Sequence, residues 1–231
     1  TIAAVRIEAV KLEGGRPNTF TVLKIDEVVE LVRSEEFTWL DIDISKTSEP
    51  VLRELLVSKL DFHPATVTDC FQVTPYHQAK MEEEQGYRFI TFLYYEQAGR
   101  EEFTVRELNI YVADTYVITV HRHPLGGLLP AMKAIPKYVS EYQQSAVLFV
   151  HHALSRITDG FSSVLQSVQQ VCDELEVSTL APRRQREFSL NPFKRSDQLT
   201  EMRRIPRARQ AIVMLRKTLL AELGIINNLI G

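Results

Sequence analysis

Apolar positions follow two different rhythms in the first two-thirds of the chain. In some segments apolar and polar residues alternate, which predicts strands, and in others apolar residues recur every three or four positions, which predicts helices. The first predicted strands are residues 2–12, 20–25 and 37–42. The predicted helices are residues 26–33, a segment from Ser48 through Leu60, and a short helix that begins at Pro64.

Four further strands are predicted before residue 122. They are residues 80–84, 87–96, 103–112 and 115–121, separated by the turns Gln85-Gly86, Ala98-Gly99 and Asp114. Because short connections join consecutive strands, these four form an antiparallel meander. Together with the helices before them, they predict that residues 1–140 form an α/β (α+β) sandwich with a mixed, largely antiparallel sheet.

The last third of the chain has helical periodicity. One apolar seam consists of Val147, Val150, Leu154, Ile157, Phe161, Val164, Val168, Val171 and Leu175. A second consists of Ile205, Ala208, Ile212, Leu215, Leu219, Leu223, Ile226 and Ile230. Residues 141–231 are therefore predicted to form a long antiparallel helical hairpin. Pro206 is expected to start or kink its second arm, and residues 178–198 to form an exposed tip.

Composition excludes several classes of protein. The formal net charge of -3 over 231 residues is too small to indicate nucleic acid or a membrane surface as a partner. Cys70 and Cys172 lie far apart and have no ligand pattern around them, so neither a disulfide framework nor a zinc site is predicted. No segment approaches the roughly 20 apolar residues of a bilayer-spanning helix. We therefore expect a soluble chain.

The histidines do not indicate an enzyme. No H-E-x-x-H helix, Gly-x-Ser-x-Gly turn or phosphate-binding loop accompanies them. The favoured interpretation is that they cap helices, pack or lie at the surface. A catalytic group of His63, Asp69 and His121 is a weaker alternative, since nothing in the sequence shows that these three residues converge.

A basic run lies near the predicted hairpin tip. Its members are Arg183, Arg184, Arg186, Lys194, Arg195, Arg203, Arg204, Arg207 and Arg209. They could hold phosphate groups in a soluble nucleic-acid-binding module. Because no nucleic-acid-binding motif accompanies them, a solvated helix tip is the favoured interpretation, and we expect no nucleic-acid partner.

Asp69 is the remaining candidate for chemistry. A carboxylate on a short helix is ordinarily a surface charge or a cap. Mg²⁺ sites, however, retain several waters and use only one or two carboxylates. Asp69 could therefore supply half of a site that another segment or subunit completes.

Several motifs occur in an order that resembles one family. They are Trp39-Leu40-Asp41, Phe62-His63-Pro64, Asp69, Gln78-x-Lys80-x-Glu82, Tyr87-x-Phe89-Ile90 and Tyr116-Val117-Ile118-Thr119-Val120-His121. Their order and spacing resemble the CorA family of magnesium and divalent-cation transporters. The resemblance covers residues 37–123 by motif and the helical hairpin by arrangement.

The resemblance implies a homopentamer whose cytosolic domains each contain an αβα sandwich and a helical hairpin. In the family a stalk helix then leads to two membrane helices, and the pore signature Gly-Met-Asn is absent from this chain. The implied role is a cytosolic regulatory domain at the cytoplasmic side of the cell membrane, which senses intracellular divalent ions. The implied ions are Mg²⁺ and also Co²⁺ or Ni²⁺, and the zinc-transporting branch of the same superfamily is the alternative.

The resemblance also names a site. In the family, an Asp after the His-Pro segment helps to bind a regulatory Mg²⁺ between neighbouring cytosolic domains, which makes Asp69 the candidate metal ligand. Two departures affect this expectation. Thr68 stands where an acidic residue often precedes the Asp, which lowers the local negative charge. The hairpin tip is basic, whereas some family members have an acidic tip.

Overall fold

The centre of the molecule is one mixed sheet of seven strands in the order β2-β1-β3-β7-β6-β5-β4. The computed structural model describes residues 7–13, 16–72, 78–97, 103–124, 145–159, 161–180 and 192–230. The strands are β1 (Ile7–Glu13), β2 (Arg16–Val22), β3 (Thr38–Asp43), β4 (Lys80–Glu84), β5 (Tyr87–Gln97), β6 (Phe103–Val112) and β7 (Tyr116–His121).

Strand pairing confirms the predicted meander. β4, β5, β6 and β7 pair in chain order, and every pairing in the sheet is antiparallel except that of β3 with β7. Gly86 has a φ of 88° in the turn between β4 and β5, a conformation that favours glycine. The parallel pairing places Trp39 beside Val117 and Asp41 beside Thr119. Motifs that lie about 80 positions apart in sequence therefore meet in the middle of the sheet.

Helices cover both faces of the sheet. They are α1 (Ile25–Val32), α2 (Glu49–Arg53), which continues as a π-helical segment (Glu54–Lys59), α3 (Pro64–Phe71), α4 (Ala146–Asp159), α5 (Phe161–Leu180) and α6 (Pro192–Ile230). No helix among the described residues is long and apolar enough to cross a bilayer.

One face of the sheet packs against the first three helices. Strand side chains such as Leu40, Phe89 and Tyr111 belong to the same hydrophobic core as Val28 of α1 and Val67 of α3. The opposite face, which carries Trp39, packs against the late helices. The buried seam residues of those helices are Val150, Leu154, Ile157, Phe161, Val164, Val168 and Val171. The predicted α/β sandwich is thus an αβα arrangement, and the division at residue 140 stays a prediction.

Three segment boundaries differ from the sequence prediction. β2 covers Arg16–Val22 rather than residues 20–25, because it is a polar edge strand whose register is set by pairing with β1. The predicted helix through Leu60 changes to π geometry after Arg53. The last helix begins at Pro192, and Pro206 lies inside it. Residues 192–198 of the predicted tip are therefore helical, and residues 181–191 lie outside the described residues.

The buried face of α6 also differs from its predicted seam. Leu215, Ile225 and Leu229 are buried, but so are the polar residues Thr218 and Glu222. Among the predicted seam residues, Ile212 is 43% and Leu223 is 54% exposed. Thr91 is the last residue of β5 that pairs with β4, and β5 continues beyond it. The polar residues of α6 bond to this unpaired part of β5, so a different face of the helix is buried from the one predicted.

Candidate regulatory cation site

Two of the sequence motifs form a buried network at the parallel β3–β7 pair. The indole Nε1 of Trp39 donates to Thr119 Oγ1 at 3.1 Å, and the Thr119 hydroxyl donates to Asp41 Oδ1 at 2.5 Å. Asp41 Oδ2 lies 3.1 Å from His121 Nε2, and His121 Nδ1 lies 2.9 Å from the carbonyl oxygen of His123. Both Asp41 carboxylate oxygens are therefore occupied within the protein.

The pKa of His121 is raised, which strengthens this network. Burial by itself lowers the pKa, but the hydrogen bond and negative charge of Asp41 outweigh that effect, and Asp43 and the His123 carbonyl add to it. Both ring nitrogens of His121 already have hydrogen-bond partners, so the imidazole has no free nitrogen to offer a metal. The network holds the centre of the sheet and is not a metal centre.

The Phe62-His63-Pro64 motif joins α3 to the sheet. Asp61 has a φ of 59°, a left-handed conformation that aspartate tolerates. The ring of Phe62 stacks on Tyr87 with centroids 4.3 Å apart, and the His63 backbone N–H donates to the Tyr87 hydroxyl at 2.9 Å. His63 Nδ1 accepts from the Ala65 N–H at 3.3 Å. His63 is therefore a helix cap, as predicted.

Asp69, the predicted metal ligand, lies in the last turn of α3 and faces β4. Its Oδ2 lies 2.7 Å from Lys80 Nζ, and Glu82 Oε1 lies 3.1 Å from the same ammonium. The Asp69 side chain is 28% exposed and that of Lys80 is 36% exposed. Two carboxylates on neighbouring elements thus share one partly exposed lysine at the rim of the sandwich.

Lys80 remains cationic in this position. Partial burial lowers its pKa, but hydrogen bonds and charges from Asp69 and Glu82 more than offset this, so the pKa is raised. The ammonium also lies 5.7 Å from the centre of the Phe89 ring, within the range of a cation–π contact. Lys80 acts as an internal counter-ion for the two carboxylates.

Thr68, the residue before Asp69, is held by its own partners. Its hydroxyl accepts from Arg53 Nη2 at 2.8 Å and donates to the Pro64 carbonyl at 3.1 Å. Arg53 is also paired with Glu49 at 2.8 Å. The position that is often acidic in the family is therefore neutral and next to a guanidinium, so it adds no negative charge to the rim.

The comparison with known families decides the identity of the chain. Residues 34–231 match the family described as CorA-like Mg2+ transporter protein. The chain belongs to this CorA-like family. The family is one of metal ion transporters and not of enzymes, so the chain is a CorA-like transporter domain.

Curated relatives are distant and longer. The putative metal ion transporter YfjQ of Bacillus subtilis (strain 168) is 20% identical over 153 residues, which are 65% of this chain and 45% of that protein. The magnesium transporter ALR1 of Saccharomyces cerevisiae is 26% identical over 157 residues, 67% of this chain and 18% of that protein. The chain spans less than half the length of both relatives.

A solved structure confirms the CorA-like fold. The soluble domain of CorA from Methanocaldococcus jannaschii has a TM-score of 0.59 with 17% identity, and the match covers 96% of this chain and 78% of that one. At this identity the likeness concerns the fold alone. It confirms the predicted αβα sandwich with its mixed sheet and late helices.

The other candidate residues of the CorA-like chain do not converge on one centre. His63 contacts Ala65, Asp69 contacts Lys80, and His121 contacts Asp41. His77 and the arginines at 183, 184 and 186 lie outside the described residues. The geometry therefore gives no support to the catalytic alternative.

Asp69 can supply only part of a cation site. In the part of the chain that the structure describes, no three His, Cys, Asp or Glu residues are grouped so that they could hold a metal ion. The carboxylate can offer oxygen to a hydrated cation once the Lys80 ammonium moves aside. Sequence reasoning quoted Lys80 and Glu82 as motif residues but missed their contact with Asp69, because helix–strand packing creates it.

Proposed function

We propose that this domain is the cytosolic regulatory domain of a CorA-like magnesium or divalent-cation channel. In this role Asp69 senses intracellular divalent ions and helps to close the gate. The observation that carries the proposal is the position of Asp69. It is the one metal-capable residue predicted from the family motifs, it lies partly exposed at a rim, and its partner is a displaceable lysine.

The charges around Asp69 favour a cation site that has low affinity within one domain and higher affinity where two domains meet. Within one domain, the Lys80 charge opposes the approach of a divalent cation to Asp69. A neighbouring subunit in a homopentamer would add carboxylate oxygens and so overcome this repulsion. Occupancy would then stabilise the arrangement in which subunits lie close together, and in this way ion binding would bias the gate.

The oxygen ligands suit Mg²⁺, which retains several waters and needs few carboxylates. Co²⁺, Ni²⁺ and Zn²⁺ also accept carboxylate oxygen, so this rim does not select among them. The zinc-transporting alternative stays a prediction. Uptake of Mg²⁺ and Zn²⁺ by the whole transporter, measured side by side, separates the two.

The experiment for sensing is limited proteolysis of the whole transporter across a Mg²⁺ titration. We expect Mg²⁺ to protect the closed pentamer, and Asp69→Asn to raise the Mg²⁺ concentration needed for protection about tenfold, equivalent to one lost carboxylate contact of about 1.4 kcal/mol. Asp61→Asn is the matched control, because Asp61 is an exposed carboxylate near α3. Equal protection in Asp69→Asn and the parent protein would refute the proposal.

A further inference from the structure

The C-terminal part of α6 is attached to the sheet by two polar contacts on successive turns of the helix. Glu222 Oε1 accepts from the Leu93 N–H at 3.1 Å, and the hydroxyl oxygens of Thr218 and Tyr95 lie 2.9 Å apart. Both contacts reach the part of β5 that continues beyond Thr91, its last residue paired with β4. A helix side chain therefore satisfies a strand N–H that no neighbouring strand pairs within the described residues.

The same part of α6 is held along one side. Leu215, Ile225 and Leu229 are buried in the core that the sheet shares with the late helices, whereas Leu220 is exposed. Pro206 lies inside the helix, before both polar contacts. It has no N–H for the helical hydrogen bond of its turn, so the helix can bend there. The segment after Pro206 can thus leave the sheet while the helix before it persists.

Glu222 is buried in this interface with one of its carboxyl oxygens unbonded. The residue is 1% exposed, and its Oε2 has no hydrogen-bond partner among the described residues. A neutral carboxyl group tolerates such a position far better than a carboxylate, which would be an unpaired charge among apolar groups. Burial accordingly raises the pKa of Glu222 to about 8, and the Leu93 hydrogen bond offsets only part of that effect.

The charged groups around this contact do not balance a carboxylate at Glu222. On β5, burial raises the pKa of Tyr95, and the negative charge of Glu222 adds to that rise. On β4, the Lys80 ammonium is bound by Asp69 and Glu82. The other titratable side chains described on elements packed against α6 include Glu83, Arg88 and Tyr94 in the sheet, His151, His152 and Arg156 of α4, and Cys172, Asp173 and Glu174 of α5.

We propose that Glu222 forms a proton-dependent latch, which holds the C-terminal part of α6 on β5 while its carboxyl group is neutral and releases the helix when the group ionises. In the neutral form the contact with Leu93 is kept and no charge is buried. After ionisation, water can solvate the charge only if the helix moves off the strand. This Glu222 latch uses residues separate from the Asp69 rim and does not rest on cation sensing.

The direction of the pH effect follows from the proton that the docked helix retains. Between the ordinary carboxyl pKa of 4.5 and the folded value of about 8, docked α6 keeps a proton that released α6 gives up. Docking is therefore firmest at low pH and weakens as pH rises towards about 8. Above that pH both forms are ionised, so docking no longer changes with pH. Neutral pH lies inside this window.

The experiment is amide hydrogen exchange at Leu93 in the full chain, followed by NMR from pH 6 to 8 without divalent cations. Each rate is divided by the rate of the same amide in Glu222→Gln, which removes the intrinsic pH dependence of exchange. Glutamine keeps an oxygen for the Leu93 N–H but cannot ionise. Since one proton permits about a tenfold change per pH unit, we expect this ratio to rise at least tenfold from pH 6 to pH 8. A constant ratio would overturn the proposal.

Tyr95→Phe is the matched control, because it removes the contact with Thr218 and the phenol but leaves Glu222 in place. Leu93 exchange should then be faster than in the parent chain by the same factor at every pH. If Tyr95→Phe abolished the pH dependence, the titrating group would be Tyr95 and the Glu222 latch would be wrong.

Two further measurements on the parent chain separate the latch from general instability. At pH 8 the Leu93 amide should open at least tenfold more often than the amides of β7, because the helix leaves while the sheet persists. Equal opening would mean that α6 detaches only when the whole chain unfolds, which would refute a latch. Carbon-13 NMR of the Glu222 carboxyl group covers the case in which Glu222→Gln does not fold. A carboxyl group already ionised at pH 6 would refute the proposal as well.

Discussion

Asp41 and Asp69 belong to the same set of family motifs, and each is paired with a basic residue, yet the two pairs differ in their surroundings. The partner of Asp41, His121, has a side chain that is 7% exposed, while the partner of Asp69, Lys80, is 36% exposed. Asp41 also accepts from Thr119 in the middle of the sheet. The two motif carboxylates therefore differ in how easily their basic partners can move into water.

Energetics separate the two pairs more sharply than distance does. The Asp69–Lys80 contact, at 2.7 Å, is shorter than the Asp41–His121 contact, at 3.1 Å. A partly exposed pair nevertheless contributes little, because water solvates both charges when they separate. A buried pair that loses one member leaves an unsatisfied charge in the interior. The buried pair should therefore govern stability, and the exposed pair should govern ion binding.

The largest effect is expected from Asp41→Ala. The substitution leaves His121 without its carboxylate and Thr119 without its acceptor, so the free energy of unfolding should fall by about 3–5 kcal/mol. Urea unfolding followed by circular dichroism measures it. Asp26→Ala is the control, since Asp26 is 85% exposed and lies 3.5 Å from Lys59. If Asp41→Ala lowered the free energy of unfolding by less than about 1 kcal/mol, the buried pair would not govern stability.

Glu222 is a third carboxylate to compare with Asp41 and Asp69, and it is buried with only one of its two oxygens hydrogen-bonded. Its Oε1 accepts from the Leu93 N–H at 3.1 Å, at the part of β5 that extends past β4. Its Oε2 has no partner among the described residues. Burial raises the pKa of Glu222 to about 8, despite the opposing effect of the Leu93 hydrogen bond. The carboxyl group is therefore mostly protonated at neutral pH.

The sign of the resulting pH dependence follows from proton binding. Between the ordinary carboxyl pKa of 4.5 and the folded value of about 8, the folded chain holds a proton that the unfolded chain has released. Stability from this group is full below that window and falls as pH rises through it, by about 1.4 kcal/mol per pH unit. Glu222→Gln should remove this part of the pH dependence.

The measurement is urea unfolding of the parent chain and Glu222→Gln at several pH values from 5 to 9. The difference between the two isolates Glu222 from His121, whose raised pKa also causes stability to be lost as pH rises through its folded value. Glu82→Gln is the control for a partly exposed carboxylate. If the free energy of unfolding changed with pH equally in the parent and in Glu222→Gln, the pKa of Glu222 would not be raised by folding.

The sequence predicted the meander because Gly86 and alternating apolar positions are local signals. It misplaced β2, whose Arg16, Pro17 and Asn18 have little strand character and are held by pairing with β1. It also misjudged the face of α6. Thr218 and Glu222 read as exposed residues in the sequence, but they bond to Tyr95 and Leu93 at the β5 edge. Contacts between distant segments carry no local pattern.

The candidate site shows the same limit. Family motifs named Asp69, and the structure places it at the rim, but the spacing could not show that Lys80 would neutralise it. Eleven positions separate the two residues in sequence, and only the packing of α3 beside β4 brings them to 2.7 Å. Whether a second subunit adds oxygen ligands is a property of the assembly and is not encoded in the motif.

Lys80→Gln is expected to have a smaller effect, on ion binding rather than on folding. Removing the ammonium should strengthen Mg²⁺ binding at Asp69, because two neighbouring carboxylates lose their internal counter-ion. We expect about a fivefold lower Mg²⁺ concentration for half-protection from proteolysis in the whole transporter, equivalent to about 1 kcal/mol. Lys46→Gln is the control, since Lys46 pairs with Asp43 elsewhere on the surface. Weaker Mg²⁺ binding in Lys80→Gln would mean that the lysine supports the ion site.

The smallest effect is expected from the Asp69–Lys80 pair on stability, and a double-mutant cycle measures it. Asp69→Asn, Lys80→Met and the double variant, compared by urea unfolding, should give a coupling energy of about 0.2–1 kcal/mol, because both side chains reach water. A coupling above about 2 kcal/mol would place this pair with the buried Asp41–His121 pair. Divalent ions could not then displace Lys80 at low cost, and the rim would be a structural contact rather than a sensor.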